Sequence, residues 1–236
     1  MTRQEIVPER LAGATVVVLD VFMATTTLLT ILENGALGVY PAESLEAADR
    51  VRGKLGPGVL RGGEQDAARI EGYDHGPFPE EYAPSVVRDK NVIFVTTNGT
   101  RALADAVGAD RVLIGCLRNA PAIARELEAP KTDSVYIVCA GSAGRFTVED
   151  FLGAAEILSR METHDWRLND GAWMARDFAK RHKGEAGGVL RESRAGRWFV
   201  ENDRTDALDF VADVGASEEV PEVRAGRLVG RSAGSK

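Results

Sequence analysis

The sequence alternates short, almost wholly apolar runs with segments whose apolar residues recur at the helical period. Residues 15–21 are β-branched and nearly all apolar, and residues 25–34 follow at once with helical spacing. Strands that are apolar on both faces are typical of parallel sheets covered by helices on both sides. Repeated alternation of strand and helix indicates the same class. The sequence therefore predicts an α/β fold with a largely parallel sheet and helices on both faces.

The same periodicities divide most of the remaining chain. Past residue 160 the pattern is mainly helical, which predicts a helical C-terminal third. No internal repeat is evident and no linker divides the chain, so one domain over 1–236 is expected, with a division into two subdomains left open. Residues 231–236 are expected to be frayed. Further strands are predicted at 59–61, 91–96, 111–116 and 135–140, and helices at 44–54, 98–107, 120–127, 148–160, 169–182 and 205–212.

Residues 62–84 form a long irregular segment rich in Gly, Pro, Asp and Glu. A loop of this length inside a compact domain is usually functional or disordered. The clustered acids and glycines favour a functional loop.

Charge and hydropathy exclude several kinds of partner. The formal net charge is -7 and no basic run stands out, so nucleic acid is not expected as a partner. The longest apolar runs are strand-sized, well short of the roughly 20 residues that span a bilayer. Residues 1–10 are polar and charged, without the apolar stretch of a signal peptide. We expect a cytoplasmic protein without membrane contact, for which a homodimer is possible.

Three predicted strands end in small and polar residues that lead directly into a helix, at 19–27, 96–101 and 139–145. Ligands of open parallel sheets bind beyond the carboxyl ends of the strands. Such turns offer backbone N–H groups and hydroxyls at a helix N-terminus, which suits an anion. Three such turns in one sheet predict a convergent phosphate site. The candidate substrate-binding residues are Thr25, Thr26, Thr97, Thr100, Gly141, Ser142 and Arg145.

Charged and amide side chains at these strand ends are candidates for catalysis. Asp20 ends the first strand, where an aspartate can ligate magnesium or act as a nucleophile. It does not belong to the Asp-x-Asp pattern of haloacid-dehalogenase phosphatases, because residue 22 is Phe. Arg101 is expected in the first turn of a helix, where its guanidinium can clamp a phosphate or sulfonate. Asn98 begins the same turn and completes the catalytic candidates.

Further acids are candidate metal ligands, because Mg²⁺ prefers oxygen ligands. Glu149 and Asp150 are adjacent near the start of a predicted helix, a place where the helix dipole favours acids in any case. Glu64 and Asp74 lie beside glycines in the irregular loop, where turn formation is the competing explanation. The predicted magnesium ligands are drawn from Asp20, Glu64, Asp74, Glu149 and Asp150.

Cys139 and Arg145 offer an alternative mechanism, because their spacing is that of cysteine-dependent phosphatases. The preceding His of those enzymes is replaced by Val138, and Phe146 stands where they have Ser or Thr. Cys116 and Cys139 each end an apolar run, where buried free thiols are common. A structural role for Cys139 is therefore favoured over that of a nucleophile.

Five stretches of the chain carry a resemblance to a known family: 16–36, 62–76, 92–103, 113–124 and 137–158. They resemble the 2-phosphosulfolactate phosphatase (ComB) family. This resemblance implies a ComB-like α/β fold and a Mg²⁺-dependent phosphohydrolase, which converts 2-phospho-3-sulfolactate to 3-sulfolactate and phosphate on the route to coenzyme M. The same site residues follow from it, apart from Thr100 and Arg145. The nucleophile is either Asp20 or a metal-bound water. A weaker similarity includes a Ser-x-x-Gly-Arg at 193–197.

The chain departs from the family pattern at two places. The family usually has an arginine where Met23 stands, and Gly-Asn-Ser-Pro where this chain has Gly-Pro-Phe-Pro at 76–79. Loss of one charge-assisted hydrogen bond can cost about 1.5–3 kcal/mol of binding. These changes leave open a different substrate, weaker activity, or a non-catalytic binder of small phosphorylated or sulfonated anions.

Overall fold

The computed structural model describes residues 1–128, 132 and 134–230. Short 3-10 turns occur at Arg3–Glu5, Pro8–Arg10 and Pro79–Tyr82. The strands are β1 (Ala14–Leu19), β2 (Gly38–Ala42), β3 (Leu60–Gln65), β4 (Ala68–Arg69), β5 (Asn91–Val95), β6 (Arg111–Gly115), β7 (Ser134–Cys139), β8 (Glu222–Arg224) and β9 (Arg227–Val229). The helices are α1 (Ala24–Glu33), α2 (Leu45–Leu55), α3 (Pro84–Val87), α4 (Gly99–Asp105), α5 (Ala120–Glu128), α6 (Val148–Arg160), α7 (Asp170–Arg181), α8 (Ala186–Glu192), α9 (Arg194–Glu201) and α10 (Thr205–Ala212).

The α/β class is confirmed, and each predicted helix and strand exists. Sequence reasoning missed β2, because Gly38 and Pro41 within it are poor strand formers. It also missed the hairpin of β8 and β9, whose strands are only three residues long, and the short helices α8 and α9. The long irregular segment is partly regular, since β3 continues to Gln65. The tail expected to fray, 231–236, lies outside the described residues.

The sheet consists of two parallel triplets of strands joined by a hairpin. Its order is β4-β3-β5-β2-β9-β8-β6-β1-β7. Pairing is parallel within β6–β1–β7 and within β2–β5–β3, and antiparallel where β8 and β9 join them. The two triplets and the hairpin are arranged symmetrically. Reading their strands from the opposite edge gives the same order once β1 is exchanged with β5, β2 with β6, β3 with β7 and β8 with β9. The topology thus contains an internal repeat that is not evident in the sequence, and α1 and α4 each cross from one triplet to the other.

The same hydrogen-bond pattern, a threonine hydroxyl bonded to the backbone of the preceding strand end, begins both crossover helices α1 and α4. The Asp20 N–H donates to Thr25 Oγ1 at 3.1 Å, and this hydroxyl donates to the Asp20 carbonyl at 2.9 Å. The Thr96 N–H donates to Thr100 Oγ1 at 3.1 Å, and that hydroxyl donates to the Thr96 carbonyl at 2.8 Å. A hydroxyl of this kind satisfies main-chain groups that the end of a strand leaves unpaired. It fixes the turn that leads from strand to helix in each triplet.

Helices cover both faces of the sheet, which explains the wholly apolar runs. Val16 and Val18 pack with α1 and α4, whereas Val17 and Leu19 pack with α5 and α6. All six residues of β1 are buried. Within the part of the chain that the structure describes, no helix is long and apolar enough to cross a membrane.

The C-terminal helices α8–α10 pack on the turn that follows β1. Met23 in this turn is buried in an apolar cluster with Leu190, Phe199 and Leu208 from these helices. The Phe22 ring stacks on the Phe199 ring, with their centroids 4.7 Å apart. The helical third of the chain is therefore attached directly to the loop that carries Asp20.

Candidate active site

The carboxyl ends of β1 and β5 meet at Asp20, although the two strands belong to different triplets. The backbone N–H of Gly99, the first residue of α4, donates to the Asp20 carboxylate. A Cβ added at Gly99 would lie 2.5 Å from the Ala24 Cβ and 2.7 Å from Asp20 Oδ2. Only glycine fits there without displacing its neighbours. The N-termini of α1 and α4 therefore converge on one carboxylate.

Asp20 lies in an acidic environment. Its side chain is buried, and burial raises its pKa well above the usual value for an aspartate. The nearby carboxylates of Asp150, Glu64 and Glu149 raise the pKa further, while the Gly99 N–H opposes them. Buried carboxylates that repel one another are stabilised by a proton or a cation.

Asp150 holds two strand ends together. Its Oδ1 accepts the Val21 N–H at 2.8 Å and its Oδ2 accepts the Gly141 N–H at 2.9 Å. Val21 follows β1 and Gly141 follows β7, so this carboxylate fixes the spacing of both turns. Burial raises the pKa of Asp150 to about 7.

Glu64 plays the equivalent part in the other triplet. Its Oε1 accepts the Thr97 N–H at 2.6 Å, and its Oε2 accepts the Thr97 hydroxyl at 3.0 Å and the Ala67 N–H at 2.7 Å. It thereby ties the turn after β5 to the end of β3. Asp150 and Glu64 both combine negative charge near Asp20 with a role in positioning the loops.

Glu149 connects the site to the C-terminal third. It is buried, and this burial raises its pKa, while Arg194 and the Ser193 hydroxyl lower it. Ser193 caps α9 by accepting the Gly196 N–H at 2.9 Å. The structure thus brings the start of α9 to the acidic cluster. The motif analysis did not select Ser193 or Arg194, and the weak similarity at 193–197 was the available signal.

The predicted threonines shape the turns through their hydroxyls. Thr26 Oγ1 donates to the Val21 carbonyl at 2.9 Å, and Thr27 Oγ1 donates to the Pro77 carbonyl at 2.6 Å. Thr25 and Thr100 are occupied in the same way at the two strand ends, as described above. The role predicted for Thr25, Thr26 and Thr100 in substrate binding stays a prediction.

The third strand end is tied to the second through Asn98. Asn98 Oδ1 accepts the Ala143 N–H at 3.3 Å. Ser142 and Arg145 exchange two backbone hydrogen bonds of 3.0 Å, which close the turn after β7. Gly141 has φ +71°, and a Cβ there would lie 2.4 Å from the Arg145 carbonyl oxygen, so this turn requires glycine. The turns after β1, β5 and β7 are therefore joined into one site.

Asp74 lies apart from the charged groups around Asp20. It is exposed, and its Oδ2 accepts the Arg61 N–H near the beginning of β3 at 2.8 Å. The Arg61 guanidinium donates to the Gly72 carbonyl at 2.7 Å. These bonds hold the irregular loop on β3, and a role for Asp74 in metal binding stays a prediction.

Arg101 lies in the first turn of α4 and is exposed. Its Nε donates a long hydrogen bond of 3.5 Å to the Glu43 carbonyl. The side chain lines a cavity of about 160 Å³ beside Glu64 and Thr97. Arg101 is thus next to the acidic cluster, at the carboxyl ends of β2, β3 and β5.

The geometry weighs against Cys139 as a nucleophile. Burial raises the pKa of its thiol to about 12, so the reactive thiolate is scarce at neutral pH. Its side chain packs in the core between the sheet and α6. Arg145 is exposed, and its backbone serves the turn.

The two departures from the family pattern belong to one apolar cluster. Met23 is 8% exposed and Phe78 packs against the same group of buried side chains. The Phe78 ring lies edge-on to Phe199 at 6.0 Å and parallel to Trp198 at 6.5 Å. The Arg204 guanidinium covers Phe78 at 3.8 Å. These residues attach α9 and α10 to the site loops by apolar packing.

A magnesium ion at the acidic cluster would have few protein ligands. Among the described residues, no three His, Cys, Asp or Glu side chains are grouped to hold a metal ion together. Magnesium keeps several waters and is often bound through one or two carboxylates. A divalent cation at Asp20 would offset both the burial and the carboxylate repulsion that raise its pKa, so the donor chemistry suits such an ion.

Comparison with known proteins agrees on one family. The family model described as 2-phosphosulpholactate phosphatase matches residues 1–226. A "probable 2-phosphosulfolactate phosphatase" of Symbiobacterium thermophilum is 40% identical over 224 residues, which cover 94% of this chain and 96% of the relative. Proteins of the same name from Carboxydothermus hydrogenoformans and Deinococcus radiodurans are each 34% identical, over 94% and 93% of this chain and 93% and 91% of the relatives.

Proposed function

Because this chain belongs to the 2-phosphosulfolactate phosphatase family, we propose that it is a phosphoric monoester hydrolase that converts 2-phospho-3-sulfolactate to 3-sulfolactate and phosphate. The observation that carries this proposal is the position of Asp20. It is a buried carboxylate where two helix N-termini meet, and three further acids surround it. Helix N-termini attract anionic phosphate, and a carboxylate beside them can act on phosphorus or on its magnesium counterion.

Asp20, with Glu149 or Glu64 as a second carboxylate, would hold the magnesium ion. When bound, magnesium would neutralise charge on the phosphate as the P–O bond breaks. The burial and raised pKa of Asp20 support this assignment, because a cation lowers the energy of its ionised form.

The remaining residues position the groups that act. The N-termini of α1 and α4 would attract the phosphate through their helix dipoles, while the N–H groups of Thr25, Gly99 and Thr100 donate within the protein and fix the two turns. Asp150, Glu64 and Asn98 hold the strand-end turns at a constant spacing through the bonds described above. Preorganised donors of this kind reduce the reorganisation needed at the transition state.

We propose that the reaction serves coenzyme M biosynthesis, as the family resemblance implies, and that the protein acts in the cytoplasm. Met23 gives the turn after Asp20 an apolar side chain, which packs under α8–α10, at a position where the family usually has a cation. The substrate's negative charges must therefore be met by other groups, namely the metal ion, the helix N-termini and Arg101.

The test is phosphate release from 2-phospho-3-sulfolactate and from a panel of phosphorylated hydroxy acids, each with Mg²⁺ and with EDTA. We expect release that requires Mg²⁺ and that falls by about 10²–10⁴-fold in Asp20→Asn. The control is Asp165→Asn, the same change at a side chain that is 85% exposed, which should keep full activity. Full turnover in Asp20→Asn would remove Asp20 from the mechanism. Release that survives EDTA would exclude the metal, and no release from any substrate would contradict the phosphatase assignment.

A further inference from the structure

A cavity of about 560 Å³ lies at the edge of the sheet, between β7 and the helices α6 and α7. Cavities of this size are typical of sites for small organic ligands. None of the acids grouped around the candidate active site lines it; these acids are Asp20, Glu64, Glu149 and Asp150. The proposed hydrolysis therefore gives this cavity no role.

Small side chains leave the cavity open where the two helices face β7. The lining there includes Ala154, Gly171, Ala172 and Ala175. As a result, the first four residues of β7 are only partly buried, whereas all six residues of β1 are buried. Accessible apolar surface of this kind marks a place where a ligand or a partner binds.

The walls of the cavity are apolar and include two aromatic rings. Val135 and Ile137 of β7 pack in one apolar cluster with Phe151 of α6. Trp166, which precedes α7, packs against the same cluster, and all four residues line the cavity. Aromatic side chains pack against a flat ring in offset-stacked or edge-on arrangements. The walls therefore suit a small aromatic group.

The mouth of the cavity carries a cation without an ionic partner. Of the described residues that line it, Asp165 and Arg167 have charged side chains, and both are exposed. The Asp165 carboxylate lies 3.1 Å from His164 Nε2. Within residues 1–128, 132 and 134–230, no carboxylate forms an ion pair with Arg167. Its guanidinium is therefore available to an anionic group, which it can bind through two N–H donors.

The outer edge of β7 adds backbone donors. The Cys139 N–H donates to the Met1 carbonyl at 2.9 Å, on the side away from β1. Because backbone groups alternate in direction along a strand, the N–H groups of Val135 and Ile137 point to the same side. The part of the chain that the structure describes supplies no acceptor for these two N–H groups. They are further donors for an anion in the cavity.

We propose that this cavity is a second ligand site, which binds a small aromatic molecule that carries one carboxylate or sulfonate group. The ring lies against Phe151 and Trp166, and Arg167 holds the anionic group at the mouth together with the N–H groups of β7. The site does not depend on the phosphatase assignment, because none of the acids around Asp20 belongs to it.

The test is a fluorescence titration of the full chain with 8-anilinonaphthalene-1-sulfonate, an aromatic sulfonate that reports apolar surroundings. In EDTA, the unmodified protein should show a single saturable site. Arg167→Ala should raise the Kd of the probe about 3- to 10-fold, the effect of one partly exposed charge pair. Arg10→Ala is the control, because Arg10 is also an exposed arginine and does not line the cavity.

A second variant, Ala172→Leu, fills the cavity. The added side chain takes up space that the ring needs, so the Kd should rise at least about tenfold. Leucine is a good helix former, so α7 should be kept, which urea unfolding can check. Ala207→Leu is the matched control, because Ala207 is a partly buried alanine of α10 that does not line the cavity.

Several results would overturn the proposal. These are the lack of a saturable site in the unmodified protein, and an unchanged Kd in Arg167→Ala or in a folded Ala172→Leu. Loss of binding in Trp173→Ala would place the probe on the outer face of α7, where Trp173 is 65% exposed. Loss of binding in Arg101→Ala would place the probe at the candidate active site instead.

Discussion

The contact between the N-termini of α1 and α4 makes Gly99→Ala a sensitive test of the site. The new Cβ would lie 2.5 Å from the Ala24 Cβ, against the 3.4–4 Å of ordinary contact. The two helices must separate by about 1 Å, because both atoms are fixed to helix backbones. We expect the free energy of unfolding to fall by about 1–3 kcal/mol, as in other overpacked cores.

The same shift moves Asp20 relative to the helix N–H groups that face it. A misplacement of about 1 Å can lower turnover by 10²-fold. We therefore expect kcat for phosphate release to fall about 100-fold in Gly99→Ala, measured alongside urea unfolding of the same preparation. Adding Ala24→Gly removes the nearer clash and should restore part of both losses, although the contact of the new Cβ with Asp20 Oδ2 remains.

Gly53→Ala is the matched control for this experiment. Gly53 is inside α2, and a Cβ there would meet no atom within 4 Å. This variant should gain about 0.5–1 kcal/mol of stability from the better helix former, and its kcat should not change. A Gly99→Ala protein with activity within threefold of the unmodified protein would refute the convergence of α1 and α4 on Asp20.

Three further predictions concern stability against pH, Mg²⁺ binding against pH, and the Cys139 thiol. The pKa of Asp150 is about 7 in the folded protein, against an ordinary value of 3.8. The free energy of unfolding of the metal-free protein should therefore fall as pH rises between these two values. Urea unfolding in EDTA at several pH values measures this loss. Protons should also compete with Mg²⁺ for the carboxylates. The Mg²⁺ concentration that gives half-maximal thermal stabilisation should therefore rise by up to about tenfold for each unit that pH falls from 8 to 6. A Mg²⁺ midpoint that does not change with pH would contradict this prediction. Cys139→Ser should keep Mg²⁺-dependent activity, because the buried thiol is not ionised; loss of activity with intact folding would restore the cysteine mechanism.

Strand and helix order could be predicted because the signals are local. The apolar run of β1 and the serine cap of α2 are both visible in the sequence. β2 and the hairpin of β8 and β9 escaped prediction, because three to five residues with Gly or Pro carry little periodicity. Their place in the sheet depends on neighbours that are far away in the chain.

The candidate site could also be predicted only where its signals are local in the sequence. Asp20, Asn98 and Gly141 were selected because each follows an apolar strand, and the structure joins their three turns. The part played by Ser193 and Arg194 depends on the approach of the start of α9 to Glu149 in α6, which has no local signature.

By itself the sequence determined most of the strands and helices, which strand ends carry polar groups, and which family the chain resembles. These properties depend on residue types within a few positions of one another. Only the tertiary structure decided that β1 and β5, from different triplets, bring Asp20 and Gly99 into contact. It also placed Arg101 at a separate cavity and Met23 under α8–α10. Those positions result from the crossing of α1 and α4 between the triplets, a long-range arrangement set by packing of the whole chain.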